Sequence, residues 1–422
     1  MKFNTVIVGA GHAGGMLAIS LRNKKYKGSI AIIGQESFFP YQRPPLSKVF
    51  LNNDIDVNKL YLKSENFYIK NNIDIILNKK VNSITKKEKF LLLDTKEKIH
   101  YDTLVFATGS LINKLNTKVD NLTTHYLRDI EDAKKLKHAI KNIDDLVIIG
   151  AGYIGLEVAA SLKNNNLKIT VIDMDDRVMS RAIDKYLSEF FYNKHISEGV
   201  NFLFNQYVAS IKNHNGRSII KLSDGSVLKS DVILVGIGVK PNIKLAKQIG
   251  LICDDGIKVD EYGQTSEKDI YATGDCASHY NPILNTQLRL ESVQNCVELS
   301  NTIAFKICGE SKPYSKVPWF WSDQYNIKLQ IAGSLVTYDK SLMRGDPKTE
   351  KFSIFYQKDN QLISVHCINS PKDFLLGKKL IANQKKFNLD LLESSDLKFS
   401  DIVWEVLIPL LIIICSILSY ID

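Results

Sequence analysis

Paired cysteines are the first thing that this sequence lacks. Its six cysteines stand singly at positions 253, 276, 296, 308, 367 and 415, with no CxxC or CxxxxC spacing. A zinc site or a local redox disulfide would need such spacing, so neither is predicted and no metal is expected. Scattered cysteines are typical of a reducing compartment, and the first strand follows Met1 with no room for a signal peptide. We therefore expect a cytoplasmic protein.

Basic clusters and long apolar stretches are also scarce. The net charge is +9, from 55 Lys and Arg residues against 46 Asp and Glu residues. No short basic run with interleaved aromatics stands out, so nucleic acid is not an expected partner. The long apolar stretch is at residues 406–421, and as a helix of ~1.5 Å per residue it would be about 24 Å long, short of a ~30 Å hydrocarbon core. Residues 403–422 are thus either a membrane anchor, at the inner face, or a buried or dimer-forming helix.

The chain begins with a strand, a glycine-rich turn and a helix. Residues 5–8 are β-branched and largely apolar, and Gly9-Ala10-Gly11-His12-Ala13-Gly14 follows them. In a dinucleotide-binding unit the first glycine allows a tight turn and the second lets backbone N–H groups approach a pyrophosphate. The third glycine lets the helix pack close to the strand, and the helix N-terminus favours the anion.

The same pattern returns at residues 146–157, and two dinucleotide sites in one chain indicate a flavin and a nicotinamide. The second strand of this unit ends at Asp173, whose carboxylate would accept a ribose 2′-hydroxyl and repel a 2′-phosphate. Asp175 and Asp176 add to the repulsion, and Arg177 alone argues for phosphate. We therefore expect NADH rather than NADPH. The candidate nicotinamide-site residues are Gly150, Gly152, Tyr153, Ile154, Gly155, Glu157, Asp173, Gly236 and Gly238.

Polar residues follow the second strand of the first unit. A dinucleotide fold places a carboxylate there for the adenosine ribose, and this sequence offers Gln35 and then Glu36. The proline-rich turn at residues 40–48 carries two cations, Arg43 and Lys48. The fold would place Lys48 where a flavin ring lies.

Two further strand ends are candidate ligand contacts. Ala107, Thr108 and Gly109 end a buried strand, where small residues let the backbone approach a ligand. Asp275 follows a strand at residues 269–273 and is either a ligand of a flavin ribityl hydroxyl or a helix cap.

The pattern changes from about residue 320 onward to antiparallel strands and turns. Residues 352–356 and 361–365 alternate around the polar turn at 358–360. This pattern predicts a third domain of the α+β class.

Long runs along most of the chain carry a family resemblance. From residue 3 to about residue 400 the sequence resembles the FAD-dependent, NADH-dependent ferredoxin reductases that serve oxygenases, of the putidaredoxin reductase, rubredoxin reductase and dioxygenase ferredoxin reductase type. The runs are PYQRPPLSK, YDTLVFATGS, GAGYIGLEVAA, VGIGVKPN, IYATGDCA, RLESVQN, PWFWSDQYNIKLQIAG and PKDFLLGKKLI.

The resemblance implies an α/β protein of glutathione-reductase-like architecture with two Rossmann-like domains. The FAD domain would cover 1–111 and 243–320, split by an NADH domain at 112–242. A C-terminal α+β domain would cover 321–402.

The resemblance also implies site residues. Gln35 stands where the family usually has Asp or Glu for the ribose, and Glu36 is the candidate substitute. Glu157 resembles the family glutamate that pairs with Lys48, although it could also be an ordinary first-turn helix carboxylate. Trp321 lies either at the flavin edge or in the core. The implied FAD contacts are Ala13, Lys48, Val81, Arg128, Asp275 and Val293.

The missing cysteine pair indicates the reaction type. Glutathione-reductase-like enzymes carry CxxxxC where this chain has PYQRPPLSK, so electrons would leave the flavin one at a time rather than enter a protein dithiol. The expected acceptor is a [2Fe–2S] ferredoxin, or second a rubredoxin. Two alternatives keep the fold: an NADH oxidase or a quinone or radical reductase, and a flavoprotein that, like apoptosis-inducing factor, acts by binding partners.

Overall fold

A computed structural model describes residues 1–53, 55–117, 123–163, 167–335 and 337–393. The chain divides into two compact units. The first comprises residues 1–280 and 287–314, and the second comprises residues 281–286 and the residues from 315 onward.

The strands through residue 289 form parallel sheets and smaller antiparallel ones. In chain order they are β1 (Lys2–Val8), β2 (Ile30–Ile33), β3 (Ile73–Ile76), β4 (Val81–Thr85), β5 (Phe90–Leu93), β6 (Lys98–Phe106), β7 (Ser110–Ile112), β8 (Thr124–Tyr126), β9 (Asp145–Ile149), β10 (Lys168–Ile172), β11 (Asn201–Leu203), β12 (Val208–His214), β13 (Arg217–Leu222), β14 (Val227–Ser230), β15 (Val232–Val235), β16 (Val239–Pro241), β17 (Cys253–Asp254), β18 (Gly256–Val259), β19 (Ile270–Ala272), β20 (Ala277–Asn281) and β21 (Thr286–Arg289).

The helices of the first unit lie between these strands in the chain, except the last, which follows β21. They are α1 (His12–Asn23), α2 (Val49–Asn52), α3 (Glu65–Lys70), α4 (Ile130–Ala139), α5 (Tyr153–Ser161), α6 (Lys185–Ser197), α7 (Lys244–Gln248) and α8 (Val293–Ile307).

The first parallel sheet is centred on β1. It has the order β3-β2-β1-β6, with β19 beside β6 in parallel and β5 and β4 continuing it in antiparallel pairing. Its central strands are nearly continuous apolar runs, as expected of a sheet that is covered on both faces. The second parallel sheet has the order β11-β10-β9-β15-β8, with every pair parallel. Its central strand is β9. The first glycine turn therefore follows the central strand β1, and the second glycine turn follows the central strand β9.

The second unit is built on an antiparallel sheet. Its strands are β22 (Trp319–Gln324), β23 (Ile327–Gly333), β24 (Lys340–Asp346), β25 (Lys351–Lys358) and β26 (Gln361–Ile368), and its helix is α9 (Pro371–Asn383). The sheet order is β22-β23-β26-β25-β24.

The hairpin predicted around residues 358–360 is present as β25 and β26. Asp359 and Asn360 have φ angles of 50° and 62°, the left-handed conformation that a tight hairpin turn requires. Val365 and Cys367 of β26 pack against Phe374 of α9 in one apolar core. The predicted α/β class with a C-terminal α+β unit is therefore confirmed.

The predictions for the apolar tail and for the cysteines can be compared with the structure only over the described residues. The apolar stretch at 403–422 lies outside them. Within them, no helix combines the length and the apolar character needed to cross a membrane. The five cysteines that the structure describes are all free thiols.

Candidate functional site

The first glycine turn is tightly packed at two glycines and open at the third. Gly9 has a φ of +123°, and a Cβ there would lie 2.1 Å from the carbonyl oxygen of Ala107. A Cβ at Gly14 would lie 2.0 Å from the carbonyl oxygen of Gly9. A Cβ at Gly11 would meet nothing closer than Nη2 of Arg43, at 3.9 Å. The turn thus presses against the end of β6 and leaves free space at the start of α1.

The second glycine turn has the same construction. Gly150 has a φ of +110° and a Cβ there would lie 2.4 Å from the carbonyl oxygen of Gly236, while a Cβ at Gly155 would lie 2.2 Å from that of Gly150. Around Gly152 there is no atom within 4 Å of the Cβ position. Both turns therefore offer an open helix N-terminus, where backbone N–H groups and the helix dipole favour a phosphate.

Asp173 lies beside the second turn, at the end of β10. Its carboxylate accepts hydrogen bonds from the backbone N–H of Ala151, at 2.5 Å, and of Asp175, at 2.9 Å. The guanidinium of Arg177 donates to the carbonyl oxygens of Ile183 and Ser180, at 2.9 and 2.7 Å. Arg177, the cation that would favour a 2′-phosphate, is thus hydrogen-bonded to the backbone of its own loop.

Lys48 and Glu157 meet where the two glycine units adjoin. Nζ of Lys48 lies 2.8 Å from Oε2 of Glu157, and Oγ of Ser47 donates to the same oxygen at 2.6 Å. Oγ of Ser161, on α5, donates to the carbonyl oxygen of Ser47 at 3.0 Å. Glu157 is only 3% exposed, so a cation and a hydroxyl compensate a buried charge. Glu157 is therefore more than a solvated first-turn carboxylate.

Asp275 lies at the first glycine turn. Its Oδ2 is 3.2 Å from Nη2 of Arg128 and accepts a hydrogen bond from Oγ of Ser110 at 3.1 Å. A Cβ at Gly274 would lie 2.8 Å from the Cβ of Ala13, so this turn abuts the start of α1. The side chain of Asp275 is thus held by an arginine and a serine.

Glu36, rather than Gln35, is the acceptor held at the end of β2. Its two carboxylate oxygens accept hydrogen bonds from Nη2 of Arg43 and from the hydroxyl of Tyr41, each at 2.6 Å. Arg43 also donates to the carbonyl oxygen of Arg128 at 2.6 Å. Burial raises the pKa of Tyr41, so its hydroxyl remains a donor. Gln35 is exposed.

Comparison with known proteins shows the family to which this chain belongs. A family model described as pyridine nucleotide-disulphide oxidoreductase matches residues 3–299, and one described as reductase C-terminal matches residues 319–402. The chain belongs to the pyridine nucleotide-disulphide oxidoreductase family. It is a flavoprotein oxidoreductase of the ferredoxin reductase type, whose cofactors are FAD and NAD(H).

Relatives match over almost their whole length. Rhodocoxin reductase of Rhodococcus erythropolis is 39% identical over 381 residues, which are 90% of this chain and 89% of that protein. Putidaredoxin reductase of Pseudomonas putida is 33% identical over 409 residues, 95% and 96% of the two chains. A crystal structure of the covalent putidaredoxin reductase–putidaredoxin complex superposes with a TM-score of 0.91 at 32% identity, covering 96% of this chain and 98% of that one.

The residues present fit the two cofactors of the family. Each dinucleotide needs an open glycine turn at a helix N-terminus, and both Gly11 and Gly152 provide one. The first glycine turn also has an orphaned polar atom, since Nδ1 of His12 is buried and has no hydrogen-bond partner among the described residues. Such an atom is expected where a cofactor supplies the partner.

The remaining predicted flavin-site residues have the following places in the fold, and their contact with FAD stays a prediction. Val81 begins β4 and is buried, Ala107 and Thr108 follow β6, and Gly109 would bring a Cβ to 3.4 Å from Nη2 of Arg128. Val293 begins α8.

At the second glycine turn, Tyr153 and Ile154 begin α5. Gly238, another predicted nicotinamide-site residue, has a φ of +91°. Burial raises the pKa of Tyr153, with the nearby charge of Glu157 as a second cause.

Trp321 belongs to the second unit. It lies on β22 beside Trp319, with ring centroids 5.6 Å apart, and is partly buried. Its position at a flavin edge stays a prediction.

Sequence reasoning missed several polar partners. His12, Tyr41, Ser47 and Ser110 were not among the predicted site residues. His12 could have been found, because it occupies a variable position of a dinucleotide motif. The roles of the others depend on partners distant in sequence, and no local pattern marks those pairs.

Proposed function

We propose that this protein passes electrons from NADH through FAD to a [2Fe–2S] ferredoxin that serves an oxygenase or a similar redox enzyme. The observation that carries the proposal is the turn at residues 40–48, which brings Lys48 to Glu157 where related disulfide reductases have a cysteine pair. Relatives named as rhodocoxin, putidaredoxin and rubredoxin reductases support a small electron carrier as acceptor.

The chemistry that bound FAD would supply is acceptance of a hydride from the nicotinamide and release of its two electrons one at a time. Hydride transfer needs positioning and electrostatics rather than an acid or base from the protein. We assign to Lys48 the positive charge that stabilises a reduced, anionic flavin, and to Glu157 the orientation of that lysine. Glu36, Arg128 and Asp275 would bind polar groups of FAD, and the two open turns would bind the pyrophosphates.

NADH is the proposed coenzyme because of charge. Asp173 ends β10 with its carboxylate facing the second glycine turn, and Asp175 and Asp176 follow it. Arg177 is bound to backbone carbonyl oxygens instead of facing that turn. A 2′-phosphate at this position would therefore meet the negative charge of Asp173, Asp175 and Asp176.

The two cysteines buried near Asp275 do not offer another route for the electrons. Burial raises the pKa of both Cys276 and Cys296, which are buried near Asp275, so both stay protonated. Protonated thiols are poor nucleophiles and poor redox partners. This favours a carrier outside the chain as the electron acceptor.

The experiment is steady-state reduction of a plant-type or adrenodoxin-type [2Fe–2S] ferredoxin, with NADH and NADPH compared and a control that lacks the carrier. Rapid reduction with NADH supports the proposal, and a preference for rubredoxin would change only the partner. Fast peroxide formation without a carrier would favour an oxidase. Flavin reduction without transfer to any carrier or to oxygen would favour a partner-binding protein.

We also propose that residues 403–422 attach the enzyme to the inner face of a membrane. The support is the apolar stretch at 406–421, which begins beyond the residue-402 end of the family match. Full-length protein and a variant that ends at residue 402 are compared for flotation with phospholipid vesicles. Loss of flotation in the shorter chain supports the anchor, and equal behaviour of both chains contradicts it.

A further inference from the structure

His12 has a buried nitrogen that the described protein atoms do not use. It begins α1 directly after Gly11, inside the first glycine turn. Its Nδ1 is inaccessible to solvent, and no described residue forms a hydrogen bond with it. Buried polar atoms in native proteins nearly always have a partner, so a partner from outside the chain is indicated.

The charged side chains near His12 already have hydrogen-bond and ion-pair partners other than His12. Asp275 and Arg43 both act on the imidazole electrostatically. Asp275 is bound to Arg128 and Ser110, while Arg43 is bound to Glu36, Tyr41 and a backbone carbonyl. Neither side chain is hydrogen-bonded to the ring nitrogen.

The imidazole is neutral at physiological pH. Burial lowers its pKa to about 4, although Asp275 acts in the opposite direction. A neutral imidazole has one N–H donor and one acceptor nitrogen. A donor without a net charge can bind an anionic group beside Arg43 and Arg128 without adding to their mutual repulsion.

The space beside His12 is the open part of the turn. A Cβ at Gly11 would have its nearest neighbour 3.9 Å away, and the first N–H groups of α1 point to the same end of the helix. A cofactor phosphate at this helix N-terminus would come within reach of the first helical side chain.

We propose that Nδ1–H of His12 donates a hydrogen bond to an oxygen of the diphosphate–ribityl part of FAD. The side chain of His12 is then a cofactor-binding residue in addition to the backbone of the glycine turn. The proposal concerns the flavin-binding role of this turn and is independent of the electron acceptor.

Three variants of the full-length protein separate this role from a packing role. His12→Leu removes both nitrogens, His12→Asn keeps a donor near the Nδ1 position, and His12→Gln places its amide near the Nε2 position. FAD affinity is measured by fluorescence titration of the FAD-stripped chain, and the melting temperature of the stripped chain is measured alongside it. Neither measurement requires NADH or a carrier, so failure here is distinguishable from failure of the proposed electron transfer.

The expected result is that His12→Leu and His12→Gln weaken FAD binding by about tenfold or more, while His12→Asn stays within about threefold of the wild type. The melting temperature of the stripped His12→Leu chain should be unchanged or higher, because the variant no longer buries an unpaired polar atom. The proposal is overturned if His12→Leu binds FAD as tightly as the wild type, which would assign Nδ1 to bound water. Equal weakening by Leu and Asn together with a lower melting temperature would also overturn it, by showing a packing role.

Discussion

Nζ of Lys48 lies 2.8 Å from Oε2 of Glu157, across the junction of the two glycine units. Lys48 ends the proline-rich turn that follows the first glycine turn in the chain, and Glu157 is the middle residue of α5, the helix that follows the second glycine turn. Ser47 donates to the same carboxylate oxygen. A cation that follows the first glycine turn is therefore held by a carboxylate of the helix that follows the second glycine turn.

Replacing Glu157 by Gln should slow flavin reduction by NADH. The amide cannot neutralise Lys48, so the lysine loses the partner that fixes its position. We expect the rate of flavin reduction to fall roughly ten- to a hundred-fold, and anaerobic stopped-flow absorbance measures it. Glu198→Gln is the control, because Glu198 pairs with Lys163 and Lys194 away from both turns. An unchanged rate in the Glu157 variant would remove this pair from the reaction.

Replacing Ser47 by Ala should lower stability. Ser47 is 2% exposed and donates to a charged acceptor that is itself buried, and hydrogen bonds of this kind contribute roughly 1.5–3 kcal/mol. Urea unfolding should show a loss of about 2 kcal/mol. Ser37→Ala is the matched control, because Ser37 is exposed and bonds only to Asn78 among the contacts described for it. Equal stability of the two variants would contradict this account of Ser47.

Replacing Asp173 by Asn should shift the coenzyme preference. The variant removes the negative charge that opposes a 2′-phosphate while keeping one oxygen acceptor for the turn. We expect kcat/KM for NADH to fall and that for NADPH to rise, changing their ratio about tenfold or more, as measured by initial rates.

Arg177→Ala tests the same site from the opposite direction. Arg177 holds its own loop through backbone oxygens, so this variant should lower the melting temperature and leave the NADH-to-NADPH ratio unchanged. A selective loss of NADPH activity would show instead that the guanidinium binds phosphate.

His366 should make stability depend on pH. It is fully buried in β26, its ring packs 4.8 Å from that of Tyr356, and burial lowers its pKa to about 3. The unfolded chain therefore binds more protons below pH 6.5, so stability falls as the pH is lowered through this window. Between pH 6.5 and pH 4 the loss from this residue is about 3 kcal/mol.

A His366→Phe variant should lose less stability over that range, as urea unfolding at several pH values would show. His214→Phe is the control, since His214 is exposed at the end of β12. The same pH dependence in the wild type and in the His366 variant would contradict the prediction.

Local patterns predicted the fold and the backbone of the site. Gly9 and Gly150 occupy turns that only residues tolerant of positive φ can adopt, and the chain records that requirement directly. The hairpin could be predicted for the same reason, because Asp359 and Asn360 tolerate the positive φ that its turn requires. The place of Asp173 at the end of β10, beside the second glycine turn, could be predicted because the topology of a dinucleotide-binding unit is fixed, and its contact with a ribose stays a prediction.

Side-chain pairing over long separations was not predictable from the residues alone. The bond between Ser47 and Glu157 joins positions 110 apart, and Arg128 and Asp275 are 147 apart. The sequence left both Gln35 and Glu36 open as the ribose-binding residue, and that role stays a prediction; the structure adds that Arg43 and Tyr41 bind Glu36. No spacing rule specifies such choices, which depend on which side chains the folded chain brings together.

The most direct test of the central claim is an anaerobic titration of the NADH-reduced enzyme with oxidised [2Fe–2S] ferredoxin. The account predicts that two ferredoxin molecules are reduced for each NADH consumed, because a hydride carries two electrons and the carrier accepts one. A reduced flavin that persists in the presence of excess oxidised ferredoxin and rubredoxin would contradict it.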